Sequence, residues 1–82
     1  MQKLWIANIA PGTSDKDLKA FVAKYAPEAE CTHIQRVEGD GSRPAAVMTF
    51  AKADFVTIGR LQARLDGMFW NGRTLSCSTT IR

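Results

Sequence analysis

The segment Leu4-Trp5-Ile6-Ala7-Asn8-Ile9, close to the start of the chain, begins with the alternating pattern of a β-strand. Successive side chains of a strand point to opposite faces of a sheet, so Leu4 and Ile6 share one face while Trp5 lies on the other. We predict a first strand over Lys3–Ile9, with its aliphatic face buried and Trp5 turned to the open side.

A helix is predicted directly after this strand. Ser14 followed by Asp17 forms a variant of the capping box, and the helix dipole stabilises acidic residues in a first turn. Apolar residues then recur at the spacing of one helix face, at Leu18, Phe21, Val22 and Tyr25. Proline has no N–H to continue a helix, so Pro27 lies beyond its end, and we predict a helix over Ser14–Tyr25.

The middle of the chain has the pattern of a β-hairpin followed by a second helix. Cys31–Glu38 and Arg43–Phe50 are rich in β-prone residues, and the flexible turn Gly39-Asp40-Gly41-Ser42 separates them. The second helix opens at Asp54 and ends at Asp66-Gly67. One side of that helix is predicted to carry Phe55, Ile58, Leu61 and Leu65.

The end of the chain completes the order strand, helix, strand, strand, helix, strand. The tight turn Asn71-Gly72 joins Met68-Phe69-Trp70 to a last strand over Arg73–Thr80. This order predicts an α+β fold of the ferredoxin-like βαββαβ type, with a four-stranded antiparallel sheet and two helices on one face. A chain of 82 residues has room for one small core, so we expect residues 1–82 to form a single domain.

Composition excludes several classes of protein. With 45% hydrophobic residues, 23% charged residues and a net charge of +3, the chain has the composition of a mildly basic globular domain. Its apolar stretches are shorter than the ~20 residues that cross a bilayer. We expect no secretory signal, because Met1-Gln2-Lys3 leads directly into a short strand-like segment. We therefore expect no membrane association and a cytoplasmic location. Two cysteines, Cys31 and Cys77, are too few for a disulfide scaffold, and both are expected to remain thiols.

The first strand also carries a family resemblance. Leu4-Trp5-Ile6-Ala7-Asn8-Ile9 resembles the hexamer motif of the RNA recognition motif, in which an aliphatic, an aromatic, an aliphatic, any residue, Asn and an aliphatic form strand one. The similarity continues through the capped first helix to Leu65-Asp66-Gly67 and Asn71-Gly72-Arg73-Thr74-Leu75, and so covers almost the whole chain. The resemblance implies that the four strands lie in the order four, one, three, two.

The octamer motif of that family is only partly present. It reads basic, Gly, aromatic, small, aromatic, aliphatic, any and aromatic, whereas this chain has Arg43-Pro44-Ala45-Ala46-Val47-Met48-Thr49-Phe50. The first, fourth and last positions match. Pro44 replaces the glycine, and Ala45 and Val47 replace the two rings on which the family stacks bases.

Strand alternation predicts which side chains reach the open face of the sheet. The predicted outward residues are Trp5, Ala7, His33, Gln35, Ala45, Val47, Thr49, Thr74, Ser76 and Ser78. By the same alternation, Arg36 points toward the core. Either a bulge shifts the register of this strand, or the Arg36 side chain extends to the rim of the core.

The resemblance implies that the open face binds single-stranded RNA and, by the same contacts, single-stranded DNA. Trp5 is expected to stack a base while nearby cations approach phosphates. Basic residues lie on or beside strands, at Lys3, Arg36, Arg43, Arg73 and Arg82, whereas Asp15, Asp17, Asp54 and Asp66 lie on helices or at their ends. The predicted RNA-binding residues are Trp5, Lys3, Arg43, Ala45, Val47, His33, Gln35 and Arg73.

A protein-interaction module on the same fold is the alternative interpretation. Ala7, Ala45 and Val47 around Trp5 would form a shallow apolar patch suited to the side chains of a protein partner. We expect the chain to be a monomer, although an apolar sheet face or an edge strand leaves self-association open.

Catalysis and metal binding are not expected. His33 is the only histidine, and together with Cys31 it supplies two ligands where a zinc site needs four. One histidine on a strand, in a fold too small for a deep cleft, provides no catalytic constellation. We therefore expect neither enzyme activity nor a cofactor.

Overall fold

One strand precedes the first helix, two strands lie between the helices and three follow the second, and the computed structural model describes residues 2–37, 39 and 41–80. Its elements are β1 (Gln2–Ala7), α1 (Asp15–Tyr25), β2 (Cys31–Val37), β3 (Ala45–Phe50), α2 (Phe55–Leu65), β4 (Phe69–Trp70), β5 (Arg73–Thr74) and β6 (Ser76–Thr80). The predicted strand end at Glu38, the predicted turn residue Asp40 and the basic residue Arg82 lie outside the described residues.

The main sheet is antiparallel and has four strands in the order β2-β3-β1-β6. β1 lies at the centre, so that Leu4 is paired with Met48 of β3 on one side and with Thr79 of β6 on the other. With its two helices, this sheet gives the α+β architecture that the sequence predicts. Among the described residues, neither helix has the length and apolarity to span a membrane.

The predicted last strand over Arg73–Thr80 is divided in two. β5 pairs with β4 in a small hairpin, which Asn71 and Gly72 close with φ values of 55° and 85°, as a tight hairpin turn requires. Leu75, the residue after β5, donates its N–H to the carbonyl of Met68, the residue before β4, at 2.8 Å. Leu75 is therefore hydrogen-bonded to the hairpin. Only β6 continues into the main sheet and pairs with β1.

Each helix begins at a side-chain cap. The Ser14 hydroxyl accepts the Asp17 N–H at 3.1 Å, so α1 starts where the capping box predicts. The Asp54 carboxylate accepts the Thr57 N–H at 2.7 Å. This hydrogen bond lowers the pKa of Asp54, because it favours the charged form of the carboxyl group.

The second helix also holds the outer edge of β6. The Asp66 carboxylate accepts the Cys77 N–H at 2.9 Å, and the Gln62 side-chain amide donates to the Cys77 carbonyl at 2.8 Å. Both backbone groups belong to an edge strand, where such groups are otherwise left unpaired. These two bonds therefore pair the N–H and the carbonyl of Cys77, and they also fix α2 against the sheet.

One hydrophobic cluster joins the inner face of the sheet to both helices. Its fully buried members include Leu4, Ile6, Leu18, Met48, Phe50, Ile58 and Leu65. Phe21 and Trp70 extend it, with rings stacked at a centroid distance of 4.2 Å and an interplanar angle of 16°. Trp70 thus packs against the core as predicted, while its neighbour Phe69 is 71% exposed.

The predicted inward position of Phe55 is wrong, since its side chain is 74% exposed. The other three residues of that predicted stripe, Ile58, Leu61 and Leu65, are buried. A helix turns by about 100° per residue, which puts Phe55 about 120° from Leu61 and about 80° from Leu65 around the helix axis. Phe55 is also the first residue of α2, so no earlier turn extends the buried stripe past it.

Arg36 is accommodated at the rim of the core and not by a bulge. The register of β2 against β3 does shift between Cys31 and His33, but this bulge lies before Ile34 and leaves Arg36 opposite the buried Ala46. The Arg36 guanidinium extends to the rim, where it donates to the Thr13 carbonyl at 2.9 Å and to the Asp15 carboxylate at 3.0 Å. This ion pair at the start of α1 removes Arg36 from the cations of the open face.

We expect Ile58→Ala and Phe55→Ala to differ sharply in stability, although they lie one turn apart on α2. Ile58 is 1% exposed, so its truncation leaves a cavity and should lower the free energy of unfolding by about 2–5 kcal/mol. Phe55→Ala removes an exposed ring and should change it by less than about 0.5 kcal/mol. Urea unfolding measures both, and equal losses would contradict the exposed position of Phe55.

Candidate functional site

One face of the sheet lies opposite the hydrophobic cluster. On this face, side chains of paired residues on neighbouring strands form rows that run across the sheet. The central row crosses all four strands, through Gln35, Val47, Trp5 and Ser78. Trp5 stands in the middle of this row and is partly exposed. It is held there because its neighbours along β1, Leu4 and Ile6, are fully buried on the other face.

The rows on either side of Trp5 differ in polarity. One contains His33, Thr49 and Lys3, and the other contains Val37, Ala45, Ala7 and Ser76. His33 and Lys3 are exposed, so the first row is polar and basic. The second row consists of small and aliphatic side chains. The face therefore changes from basic to apolar across the Trp5 row.

Two of the predicted outward residues are covered by their neighbours. Ala45 is 4% exposed and Thr49 is 8% exposed, although the register puts both on the open face. Each is short and has a longer partner directly across the strand pair, Val37 beside Ala45 and both Lys3 and His33 beside Thr49. Ala45 therefore forms part of the floor of this face and does not protrude from it.

A cavity of about 560 Å³ opens on this face beside Trp5. Its apolar lining consists of Trp5, Ala7, Val37 and Ala45, and its other lining residues are Asn8, Gly39, Arg43, Thr74 and Ser76. Ligand pockets commonly have volumes of about 300–1,000 Å³ and combine apolar walls with a few polar groups. This cavity has the size and lining to hold a flat ring with polar edges.

A group of hydrogen bonds among Asn8, Ser42, Arg73 and Thr74, here called the Asn8 clasp, closes one end of the cavity. Asn8 has φ 60°, a left-handed conformation that asparagine tolerates better than most residues. Its side-chain amide donates to the Thr74 carbonyl at 2.9 Å, and its Oδ1 accepts from Arg73 at 3.1 Å. Arg73 also donates to the Ser42 carbonyl at 2.7 Å. The clasp ties the end of β1 to the β4–β5 hairpin and to the loop before β3.

The Asn8 clasp changes the roles expected of the basic residues. Arg73 donates from Nη1 to two acceptors of the clasp, so it positions a loop, and because both acceptors are neutral it keeps its charge. Arg36 is paired with Asp15 away from this face. Lys3 and Arg43 are the two predicted phosphate contacts that remain exposed.

Carboxylates are kept away from this face in the part of the chain that the structure describes. None of the described residues that line the cavity is acidic. The described acidic residues lie on helices, at helix ends or in the segment before β2, at Asp15, Asp17, Glu28, Glu30, Asp54 and Asp66. An anionic ligand on the open face would therefore meet cations and none of these carboxylates.

The sequence predicts most of this site but misses four of its residues. The predicted residues Trp5, Val47, Gln35, Lys3 and His33 share the face, Ala45 and Arg43 line the cavity or its floor, and Arg73 joins the clasp. Asn8, Val37, Gly39 and Ser42 are absent from the predicted set. Asn8 stands out in the hexamer as a residue that adopts positive φ readily. Val37 belongs to β2 and continues the outward alternation of His33 and Gln35. Gly39 and Ser42 take part only because the loop between β2 and β3 lies beside the cavity.

The two cysteines are free thiols on β2 and β6, the opposite edges of the sheet. Burial raises the pKa of Cys31, and it raises the pKa of Cys77 to about 12, because desolvation disfavours the thiolate. Within the described residues, no three His, Cys, Asp or Glu side chains are grouped so as to hold a metal ion.

Comparison with known proteins adds no assignment to this site. A scan against protein-family models finds no match, and a search of curated protein sequences finds no significant match. The chemistry of the site therefore rests on its own residues.

Asn8→Gly should retain more stability than Asn8→Ala. Both variants lose the two side-chain hydrogen bonds that Asn8 makes in the clasp. Alanine in a left-handed conformation costs about 1–2 kcal/mol more, a strain that glycine avoids. We expect urea unfolding to show a difference of about 1 kcal/mol between the two variants. Equal stabilities would be inconsistent with a left-handed backbone at this position.

Alkaline pH should destabilise the chain in part through Cys77. Burial raises the pKa of this thiol from 9.0 to about 12, so the unfolded state loses the proton first. Stability then falls as the pH rises above the unfolded value, because the folded state binds more protons. The free energy of unfolding of Cys77→Ala, measured in urea at a series of alkaline pH values, should decline less steeply than that of the unchanged chain. Parallel declines would contradict the prediction.

Proposed function

We propose that this chain is a ferredoxin-like βαββαβ domain of the RNA recognition motif type, and that its open sheet face binds single-stranded RNA. Trp5 carries the proposal, as a partly exposed ring at the centre of the face and at the wall of the cavity. The hexamer pattern around Trp5 and the strand order β2-β3-β1-β6 support the fold assignment.

A single central ring implies modest affinity. Stacking a base on an aromatic side chain contributes about 1–3 kcal/mol. Ala45 and Val47 provide no rings at the two octamer positions where the family has them. Because about 1.4 kcal/mol corresponds to a factor of ten, the loss of two rings weakens binding by orders of magnitude. Every base has a π-face, so we propose weak binding with little sequence selectivity.

Phosphate contacts provide the second part of the binding energy. Arg43 lines the cavity, and Lys3 lies in the basic row on the other side of Trp5. A nucleotide stacked on Trp5 would thus have a cation on either side for its flanking phosphates. Each neutralised phosphate releases counterions, and for single strands the logarithm of the affinity falls by about 0.7 per contact for each tenfold rise in salt.

Polar side chains around the ring suit the edges of bases and the ribose. His33, Gln35, Thr74 and Ser76 are exposed on the same side of the sheet. Single-stranded DNA would use the same ring and cations, without contacts to the 2′-hydroxyl. We place this activity in the cytoplasm, where free thiols stay reduced.

Titration of isotope-labelled protein with short mixed-sequence RNA tests the proposal. We expect amide shifts at Trp5, Val47 and Arg43, and a smaller affinity at higher salt. Trp5→Ala should weaken binding by about tenfold or more. Phe55→Ala is the matched control, since it removes an exposed ring at the start of α2.

Two outcomes would contradict RNA binding at this face. One is the absence of shifts at Trp5, Val47 and Arg43 with RNA at millimolar concentration. The other is an equal effect of Trp5→Ala and Phe55→Ala on RNA binding, which would show that binding does not depend on the ring at the centre of this face.

A protein-interaction module is the second candidate, and the exposure of Val37 favours it. Val37 is 41% exposed beside Ala45, and with Ala7 and Trp5 it forms an apolar surface that the side chains of a protein would also fit. A pull-down in which Trp5→Ala loses a protein partner, while RNA binding is undetectable in the unchanged chain, would favour this candidate over RNA.

A further inference from the structure

We infer that Phe69 provides a second stacking ring for the strand of RNA that lies on Trp5, an inference that rests on the proposed function. Phe69 is 71% exposed and lies outside the hydrophobic cluster. Its neighbour Trp70, by contrast, stacks on Phe21 in the core. The hairpin therefore buries one of its two adjacent rings and leaves the other in solvent.

The strand geometry directs Phe69 to the side of the open face by two routes. Side chains alternate along β4, so Phe69 points away from the core that holds Trp70. Phe69 is also the cross-strand partner of Thr74, and directly opposite residues of an antiparallel pair project to the same side. Thr74 lines the cavity together with Trp5. The exposed ring thus lies on the side of the hairpin that continues the cavity wall.

The hairpin is held firmly enough to present a ring in a defined place. The stacked rings of Trp70 and Phe21 anchor one side at a centroid distance of 4.2 Å. The Asn8 clasp anchors the other strand of the hairpin, β5, through the Arg73 side chain and the Thr74 carbonyl. A side chain on a rigid element loses less conformational freedom on binding, so more of the stacking energy contributes to affinity.

Because the two rings are separated, the number of rings that an RNA contacts depends on the length of the RNA. Trp5 lies at the centre of the sheet, whereas Phe69 lies on the hairpin beyond Thr74. A single nucleotide that fills the cavity contacts Trp5 alone. A longer strand that leaves the cavity past Thr74 also reaches Phe69. This second ring compensates in part for the rings absent at Ala45 and Val47.

Binding of uridine monophosphate and of a short oligouridine, each followed by amide shifts, tests the inference. Trp5→Ala should weaken the binding of both ligands. Phe69→Ala should lower the affinity for the oligouridine by about tenfold and leave the affinity for the mononucleotide unchanged. Phe69→Tyr retains a ring and should bind like the unchanged chain. Phe69→Leu retains apolar bulk without a π-face and should bind like Phe69→Ala.

The controls separate a stacking ring from a general effect on the fold. Phe55→Ala removes an equally exposed ring from the start of α2 and should bind oligouridine like the unchanged chain. Urea unfolding should show that the Phe69 variants keep their stability, as expected for an exposed side chain.

The failure of this inference is distinguishable from the failure of the proposed function. If Phe69→Ala binds oligouridine as tightly as the unchanged chain while Trp5→Ala does not, the role of Phe69 is overturned and RNA binding at the face stands. If Phe69→Leu binds as well as Phe69→Tyr, stacking is overturned. If the unchanged chain binds no oligouridine, both proposals are overturned.

Discussion

Burial of one face of β1 is the constraint on which the rest of this structure depends. Leu4 and Ile6 are fully buried in the cluster that joins the sheet to both helices. The side chains of a strand alternate with a period of two, so a slip of one residue would expose both and bury Trp5. Burying a large aliphatic side chain contributes about 1.5–3 kcal/mol, more than a typical hydrogen bond contributes. The energy that holds the core together therefore also turns Trp5 outward.

Polar contacts between distant segments then set the edges of the sheet and the shape of the cavity. The Asn8 clasp joins β1, the β4–β5 hairpin and the loop before β3. Arg36 joins β2 to the start of α1, and Gln62 with Asp66 joins α2 to β6. The bonds from Arg73 to Asn8 and from Gln62 and Asp66 to Cys77 are partly buried, where an unmade hydrogen bond is costly. The cavity keeps its shape because the segments around it are tied together.

The function proposed for the face divides the binding energy among a few separated groups. Trp5 and Phe69 offer π-faces at the centre of the sheet and on the hairpin, while Lys3 and Arg43 offer charge. Arg73, which the sequence predicts as a phosphate contact, also supports the loop beside the cavity in this structure. The net charge of +3 thus combines a face with exposed cations and helix ends with carboxylates. A face of this kind favours single strands without demanding a particular base.

The sequence by itself determined the features that depend on neighbours along the chain. Alternation in residues 4–9 predicted β1 and an outward Trp5, and the caps at Ser14 and Asp54 predicted both helix starts. Only the tertiary structure decided the features that depend on what lies opposite in space. These are the exposed Phe55, the covered Ala45 and Thr49, the divided last strand and the tie between Asn8 and Arg73. Asn8 and Arg73 are 65 residues apart, and no local pattern of side chains specifies a partner at that separation.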